Sequence, residues 1–306
     1  MTDVVEVCLE GSYLPGRLAD LDSPPTELYM RGELPRGPAV AIVGTRRPSE
    51  PYAQFARQLA RELAEAGVAV FSGGAAGIDT EAHRGALEAG GATVVVAPAG
   101  FERPFPEENA DLFRVVVQSG GAYLSLVRGE CPATRGVFFA RNAVLTALSH
   151  LVVVVESPVR SGARNAAAHA RRLGRPLFVV PAAPWHRKGA GCLLELRNGA
   201  RLLITVKDLL KALAELNLHP IVAARPTLPT SLPKQESLDF SGTSQAAGGR
   251  EAVLAAVRLG ARSSDEIGLA SGLPAGRVSE LILTLRLEGV LVTDPSGRLQ
   301  IRKHLI

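Results

Sequence analysis

Arginines and small residues follow two successive apolar strands in the first third of the chain. The strand around Val40 runs into Gly44-Thr45-Arg46-Arg47, and the next strand runs into the glycine-rich turn 72–77. A helical pattern follows each turn, and a helix start exposes unpaired N–H groups and the positive end of its dipole, which attract anions. The planar guanidinium of arginine can also donate two hydrogen bonds to one phosphate. These features predict a phosphate-binding face.

A second segment, residues 134–142, places an aromatic pair among basic residues. A groove for single-stranded nucleic acid needs cations that follow the phosphates and a ring that stacks on a base, which contributes about 1–3 kcal/mol per base. Two adjacent phenylalanines at a helix start can equally be core residues. We therefore expect that one of Phe138 and Phe139 is buried and the other exposed. A further small-residue turn with an arginine, residues 161–165, follows a later strand.

Several other kinds of site are disfavoured. Cys8, Cys131 and Cys192 lie far apart without a CxxC pair or Cys/His spacing, so we predict neither a disulfide framework nor a metal site. The turn 72–77 matches neither the dinucleotide-binding nor the P-loop pattern. Asp79 and His83 share one helix face without an evident nucleophile or metal, and we expect a structural role for both. No catalytic residue and no cofactor is predicted.

The elements that position these residues form a regular alternation. Between Pro38 and about Leu216, near-continuous apolar strands alternate with helical stretches. This pattern predicts an α/β fold, an extended Rossmann-like, doubly wound and mostly parallel sheet covered by helices on both faces. Right-handed crossovers bring the carboxyl ends of parallel strands to one edge. The turns described above should therefore lie close together.

The 306 residues divide into four predicted segments. Residues 1–36 are a short lead-in, and residues 37–219 form the Rossmann-like domain. Residues 220–249, rich in Pro, Ser, Thr and Gly, are predicted to be a flexible linker. Residues 250–306 follow as a second, smaller domain.

Residues 250–306 show three helical patterns and two short strands, which predicts a winged helix-turn-helix domain. Ser263 or Ser264 is the expected N-cap of its second helix, with Glu266 as the capping-box acid. The third helix offers Arg277 and Arg286 against two acids, Glu280 and Glu288. This weak positive charge disfavours direct DNA binding by this domain and leaves protein interaction as the alternative.

The composition indicates which partners and which cellular compartment suit the protein. With 46% apolar and 21% charged residues, a net charge of +4 and a pI near 9.2, the chain suits a large core and an anionic partner. Its first residues carry acids where a signal peptide is basic, and no apolar run approaches the roughly 18 residues of a membrane span. We expect a cytoplasmic protein without membrane contact.

Motifs along most of the chain resemble one family. AIVGTRRPS, VFSGGAAGIDTEAHRGAL, FPEEN, FFARNAVLTALS, LVVVVESPVRSG and GRPLFVVPA occur in the order and spacing of the DprA/Smf (DNA-processing protein A) family, from about Pro24 to about Leu210. The carboxyl-terminal pattern resembles that family's winged helix. The resemblance implies an extended Rossmann fold and a homodimer that binds single-stranded DNA. It also implies a protein that helps load the RecA recombinase during natural transformation and is not an enzyme in that role.

The resemblance also assigns residues. Arg46 resembles the phosphate-binding arginine, Phe138 the base-contacting phenylalanine, and Arg135 a basic residue three positions earlier. With Arg47 and Arg164 from the sheet-edge argument, the predicted DNA-binding set is Arg46, Arg47, Ser72, Gly73, Gly77, Arg135, Phe138, Arg141, Asn142 and Arg164.

This chain departs from the family pattern at several positions. Ala143 replaces the second arginine of an RNR motif, Phe139 replaces a usual proline, and SGARNAA replaces SGSLITA. Residues 126–128 replace an acidic-tyrosine step. We hypothesise that Arg128 and Arg164 supply replacement positive charge.

The sequence is compatible with two other functions. The chain could be a protein-interaction adaptor whose DNA site has decayed, which the alanine at position 143 favours. It could also be a nucleotide phosphoribohydrolase related to the LOG proteins, although the PGGxGTxxE signature of those enzymes has no match here.

Overall fold

The computed structural model describes residues 5–219, 246–258, 261, 263–287, 290–293 and 299–301. The chain divides into two compact units, residues 1–226 and 227–306. Most of the predicted linker, residues 220–245, lies outside the described residues. The final part of that linker, residues 246–249, belongs to a helix instead.

The described strands of the first unit are β1 (Val7–Glu10), β2 (Glu27–Gly32), β3 (Ala39–Val43), β4 (Ala69–Ser72), β5 (Thr93–Ala97), β6 (Ala122–Ser125), β7 (Leu151–Val154), β8 (Leu177–Val179) and β9 (Arg201–Leu202). They form one nine-stranded sheet with the order β1-β2-β6-β5-β4-β3-β7-β8-β9. Strands β3 to β9 pair in parallel, whereas β2 pairs antiparallel with both β1 and β6. The predicted Rossmann-like, mostly parallel sheet is therefore confirmed.

The lead-in, residues 1–36, is more than a connection to the sheet. It supplies β1 and β2, and it places the Leu18 and Leu28 side chains in the core. Strand β2 adds to the free edge of β6 because an unpaired strand edge offers a row of main-chain hydrogen-bonding groups. These pairings depend on the main chain, so the side-chain pattern of this segment gave little sign of them.

Helices cover both faces of the sheet. They are α1 (Glu50–Glu65), α2 (Ile78–Glu88), α3 (Ala110–Gln118), α4 (Arg135–Leu148), α5 (Gly162–Arg172), α6 (Ala190–Arg197) and α7 (Val206–Glu215). Short 3₁₀ helices span Gly11–Tyr13, Gly16–Asp20, Glu107–Asn109 and Arg187–Gly189. Successive strand residues point to opposite faces. Val40 and Ile42 accordingly pack in the cluster that holds α1, α2 and α7 residues, while Ala41 and Val43 pack in the cluster that holds α4 and α5 residues.

The strand order fixes where a ligand can bind. Strands β3, β4, β5 and β6 follow one another towards one side, and β7 then returns to pair with the opposite side of β3. The connections after β3 and β7 therefore leave the sheet in opposite directions. A crevice opens outside the carboxyl ends of these two strands, which is the usual ligand position in open α/β sheets.

Among its described residues, the second unit contains three helices and a pair of antiparallel strands. These are α8 (Ala246–Arg258), α9 (Ser264–Ser271), α10 (Ala275–Leu287), β10 (Leu291–Thr293) and β11 (Leu299–Ile301). Ser263 is the N-cap of α9: its hydroxyl accepts from the Glu266 amide at 3.2 Å, and the Glu266 carboxylate accepts from the Ser263 amide at 3.3 Å. The element order agrees with the predicted one, and the assignment as a winged helix stays a prediction.

Among the described helices, none is both long enough and apolar enough to span a membrane.

Candidate nucleic-acid interface

A pocket of about 610 Å³ occupies the crevice between the ends of β3 and β7. The β3–α1 loop contributes Arg46, the first turns of α4 contribute Arg135, Phe138 and Phe139, and the β7–α5 loop contributes Arg160. The sheet edge thus brings together residues that are more than 100 positions apart in the chain. Guanidinium groups and aromatic rings line one opening, a composition that suits phosphates and bases.

A buried carboxylate fixes the loop that carries Arg46. Glu156 is completely buried, and its carbonyl oxygen accepts from the Thr45 amide at 2.7 Å. Its carboxylate accepts from the amide and the hydroxyl of Ser49, each at 2.8 Å, and also contacts Nε2 of His186. The β3–α1 loop is therefore tied near both of its ends. Sequence reasoning missed this role of Glu156, although an acid directly after an apolar strand is an identifiable signal.

The Phe138 ring lies among three groups. The guanidinium carbon of Arg46 is 5.3 Å from the ring centre and that of Arg141 is 5.8 Å away. The Phe105 ring meets Phe138 nearly at right angles, with centroids 5.4 Å apart. Cation–π and edge-to-face contacts of this kind hold a half-buried ring in a defined orientation.

The expectation for the adjacent phenylalanines was wrong in one respect. Phe138 is half-buried rather than buried, while Phe139 is 49% exposed. Both rings line the pocket. The reason is that the first turns of α4 project beyond the sheet edge, and its fully buried apolar residues begin only at Val144.

Arg141 has a different role from the predicted DNA contact. Its side chain is buried, and Nη1 donates to the carbonyl oxygens of Gly73 and of Val96, the latter at 2.6 Å. Burial lowers the pKa of Arg141 to about 10, although Asp79 raises it and Arg46 lowers it further. Arg141 therefore connects α4 to the ends of β4 and β5. It adds positive charge beneath the pocket rather than a free donor.

Asp79 balances that buried cation. Its Oδ2 accepts from the amides of Gly73 at 3.1 Å and Ala75 at 3.4 Å. Burial raises the pKa of Asp79 to about 6, and Arg141 opposes that rise. The carboxylate thus organises the glycine-rich turn, in agreement with the structural role expected for Asp79.

The geometry of the glycine-rich turn corrects the predicted contact of the Ser72 side chain, while the predicted contacts of Gly73 and Gly77 stay predictions. Ser72 is completely buried and its hydroxyl donates to the Ile42 carbonyl at 2.6 Å, so its side chain is not offered to a ligand. Gly73 is also buried, and a Cβ there would lie 2.4 Å from Nη1 of Arg141. Gly77 has a φ of +86°, and a Cβ there would lie 2.5 Å from the Thr45 carbonyl oxygen. Gly77 is therefore required for close packing against the Arg46 loop.

Of the remaining predicted residues, Arg135 and Asn142 line the pocket and Arg47 does not. Arg135 is exposed and lines the pocket, and Asn142 lines it while donating to the Gly162 carbonyl at 3.3 Å and the Asn165 side chain at 3.1 Å. Arg47 is exposed on the Arg46 loop but lies outside the pocket lining.

Neither arginine of the replacement-charge hypothesis lines the pocket. Arg164 binds the buried Glu195 carboxylate at 2.8 Å and the Val159 carbonyl at 2.8 Å, because its position on α5 directs it towards α6. Arg128 lies 5.8 Å from the Tyr29 ring, beside β2. Both cations are used elsewhere in the fold.

Arg160 is the pocket cation that sequence reasoning missed. It is exposed and directly precedes Ser161, whose hydroxyl caps α5 by accepting from the Ala163 amide at 3.2 Å. The rule that loops after parallel strands share one edge applies to Arg160 as it does to Arg46, so the signal was present.

His83 is buried beside this region without entering the pocket. Its Nδ1 lies 2.8 Å from the Thr93 hydroxyl, which itself donates to the Val70 carbonyl at 2.7 Å, so Nδ1 carries the proton. Burial lowers the pKa of His83 to about 3, with a further lowering from Arg141. His83 is therefore a neutral core residue, as expected.

Fold and site together define an α/β protein with an arginine-lined aromatic pocket at the switch point of a doubly wound sheet. The family model for DNA recombination-mediator protein A matches residues 7–214. The chain belongs to this family.

Curated relatives agree with this assignment. Protein Smf of Synechocystis is 30% identical over 310 residues, covering 94% of this chain and 78% of the relative. A putative DNA processing protein DprA of Mycobacterium tuberculosis is 36% identical over 252 residues, covering 82% of this chain but only 61% of the relative.

Solved structures show the same fold. DNA processing protein A from Helicobacter pylori, whose structure was described for its single-stranded DNA binding mode, superposes with a TM-score of 0.63 at 31% identity, covering 71% of this chain and 99% of that one. DprA from Streptococcus pneumoniae superposes with a TM-score of 0.62 at 28% identity, covering 69% and 74%.

Proposed function

We propose that this chain is a single-stranded DNA-binding recombination mediator. It protects incoming single strands and helps load the RecA recombinase during natural transformation. The observation that carries the proposal is the Arg46–Phe138 pair, 5.3 Å apart, at a pocket that Arg135 and Arg160 also line. The described DNA-binding mode of the Helicobacter pylori relative supports it.

Two properties of the pocket bear on which form of DNA it binds, namely its exposed cations and the half-buried Phe138 ring. Exposed guanidinium groups of Arg46, Arg135 and Arg160 attract the phosphate backbone. Phe138 is half-buried within the pocket, so only a base that has left its stack can reach the ring. A paired base would have to be extruded first, which costs a few kcal/mol. The pocket therefore favours single strands over duplex.

The pocket supports binding rather than catalysis. Among the described residues that line it, Asp79 is the acid, and its carboxylate is held by two backbone amides and by the charge of Arg141. A LOG-like hydrolase needs a carboxylate that is free to act on a glycosidic bond. We propose that the protein is not an enzyme in its mediator role.

Fluorescence anisotropy tests the DNA-binding part of the proposal. Labelled oligo-dT and the matching duplex are titrated at two salt concentrations with wild type, Arg46→Glu and the control Arg114→Glu, which reverses an exposed charge on α3 outside the pocket. We expect salt-sensitive binding that prefers the single strand, is lost in Arg46→Glu and is retained in Arg114→Glu. Weak binding that is equal for wild type and Arg46→Glu would favour the adaptor function instead.

The proposed homodimer and the proposed RecA partner are tested by separate measurements. Sedimentation velocity should give a homodimer. RecA filament assembly on protein-coated single strands should be faster with wild type than without it. Arg46→Glu should abolish the acceleration while remaining a dimer, and acceleration that survives this variant would separate RecA loading from the pocket.

A further inference from the structure

Phe138 is poorly placed to be the sole stacking ring of this pocket. Arg46 and Arg141 lie over it at 5.3 and 5.8 Å, and Phe105 packs against it edge to face. Arg46 can move because it is exposed. Arg141 cannot move without losing its hydrogen bonds to Gly73 and Val96. The Phe138 ring is therefore already partly covered by the protein.

The next residue has the opposite environment. Phe139 lines the same pocket and is 49% exposed. Within the described residues, neither an aromatic ring nor a guanidinium group packs on it. The exposed face of Phe139 leaves apolar surface in the pocket that a stacked base would cover.

A cation lies beside Phe139 on the same helix face. Arg135 and Phe139 are four residues apart in α4 and therefore lie on the same helix face, with Cβ atoms about 5–6 Å apart. Both line the pocket. Arg135 forms no ion pair within the described part of the chain. A base on the ring would thus place its phosphate within reach of a free guanidinium group.

We propose that Phe139 and Arg135 form a second nucleotide subsite, in which Phe139 stacks on an unpaired base next to the one at Phe138. The ligand is a single strand of nucleic acid, and the inference rests on the proposed function. Phe138 and Phe139 line the same pocket, so a strand that crosses it can present neighbouring bases to them. The phosphate between those bases faces Arg135 in the first turn of α4.

The test uses the full chain and an oligo-dT strand that contains 2-aminopurine, whose fluorescence falls when it stacks. Phe139→Ala should weaken binding about 5- to 150-fold, the range expected for the loss of one base–ring stack, and should diminish the fluorescence change. Its salt dependence should remain that of wild type, because no phosphate contact is lost. Arg135→Ala should instead lower the slope of log affinity against log salt by about 1.

Matched variants separate stacking from simple apolar contact. Phe139→Trp should keep both affinity and the fluorescence change, while Phe139→Leu should resemble Phe139→Ala. Tyr13→Ala removes another exposed aromatic ring, outside the pocket, and should match wild type. Thermal unfolding checks that each variant folds.

The outcomes distinguish this inference from the proposed function. If Phe139→Ala matches wild type while Arg46→Glu loses binding, the second subsite is wrong and the proposed function stands. If wild type fails to bind single strands, both fail. If Phe139→Ala causes no further loss of binding in the Phe138→Ala background, the two rings hold one base and the second subsite is also wrong.

Discussion

Nη1 of Arg141 donates a 2.6 Å hydrogen bond to the carbonyl oxygen of Val96, so α4 is joined to strand β5 beneath the pocket. The same nitrogen contacts the Gly73 carbonyl at the end of β4. Asp79 supplies the opposing charge. The buried Arg141 guanidinium thus connects α4 to β4 and β5 next to the pocket that Arg46 and Phe138 line.

Arg141→Met should destabilise the fold rather than remove one DNA contact. The variant leaves the buried Asp79 carboxylate without its cation and leaves two carbonyl groups without a donor. Leaving a buried charge without its compensating charge costs about 3–5 kcal/mol. Urea unfolding measures the loss, and adding Asp79→Asn should recover part of it.

The control for this prediction is Arg114→Met, an exposed position whose change should stay within about 0.5 kcal/mol. Unchanged stability of Arg141→Met together with weakened DNA binding would contradict the structural role and restore the predicted DNA contact.

Arg46→Lys should separate the contribution of the positive charge to DNA binding from that of the planar guanidinium group. Lysine keeps the positive charge for phosphate but loses the planar group that lies 5.3 Å from Phe138. We expect Arg46→Lys to retain the wild-type salt dependence with weaker binding, while Arg46→Ala lowers the slope by about 1. Anisotropy titrations over a range of salt concentrations measure both quantities. Equal slopes for the lysine and alanine variants would show that Arg46 does not neutralise a phosphate.

Gly77→Ala should disturb the Arg46 loop. The residue has a φ of +86°, and a Cβ would lie 2.5 Å from the Thr45 carbonyl oxygen, where backbone must shift to make room. With ψ at −126°, Gly77 lies outside the left-handed α region, in a strained backbone conformation that costs a non-glycine residue about 1–3 kcal/mol. We expect a larger loss in unfolding free energy, and weaker single-strand binding because Arg46 is adjacent to Thr45.

Gly90→Ala provides the matched control. Its φ is +65° but nothing lies within 4 Å of a Cβ there, so it should show the conformational cost alone and leave DNA binding unchanged. Equal effects of the two substitutions on stability and binding would exclude close packing as the reason for glycine at position 77.

His83 should contribute to acid sensitivity. Burial lowers its pKa from 6.5 to about 3 in the folded state, so between these values the unfolded chain binds more protons than the folded one. The contribution of His83 to stability is therefore complete above pH 6.5 and decreases as the pH falls, with a limiting slope of about 1.4 kcal/mol per pH unit.

His83→Asn can replace the Nδ1–H donor to Thr93 without a titrating ring. We expect lower stability at pH 7, because the smaller side chain leaves a cavity, and a shallower decrease between pH 6 and 4 in urea unfolding experiments. Asp79 is present in both proteins, so its own titration cancels in the comparison. If the unfolding free energies of wild type and His83→Asn decrease in parallel as the pH falls, His83 does not titrate as proposed.

Much of the first unit could be predicted because its signals are local. Apolar runs such as Leu151–Val154 are buried on both faces and can hardly be anything but interior parallel strands. Parallel connectivity then places the segments after β3 and β6 at one edge, so Arg46, Arg135 and Phe138 were expected together before any distance was known.

The separation of structural from exposed arginines could not be predicted, because it depends on partners that are distant in sequence. Arg141 and Arg46 both belong to the pocket edge, yet the phase of α4 directs Arg141 inward to Asp79, Gly73 and Val96. Arg164 is likewise directed to Glu195, while Arg160, four residues earlier, faces the pocket.

The sequence by itself determined the α/β alternation, the edge at which the site lies and the residue types available there. Periodicity and composition are sufficient for this, since each strand and helix carries its own pattern. Only the tertiary structure decided the roles of β1 and β2, the closing of the glycine-rich turn around Asp79 and the side chains left free for a ligand. Those features depend on main-chain pairing and on which groups satisfy one another once the helices pack on the sheet.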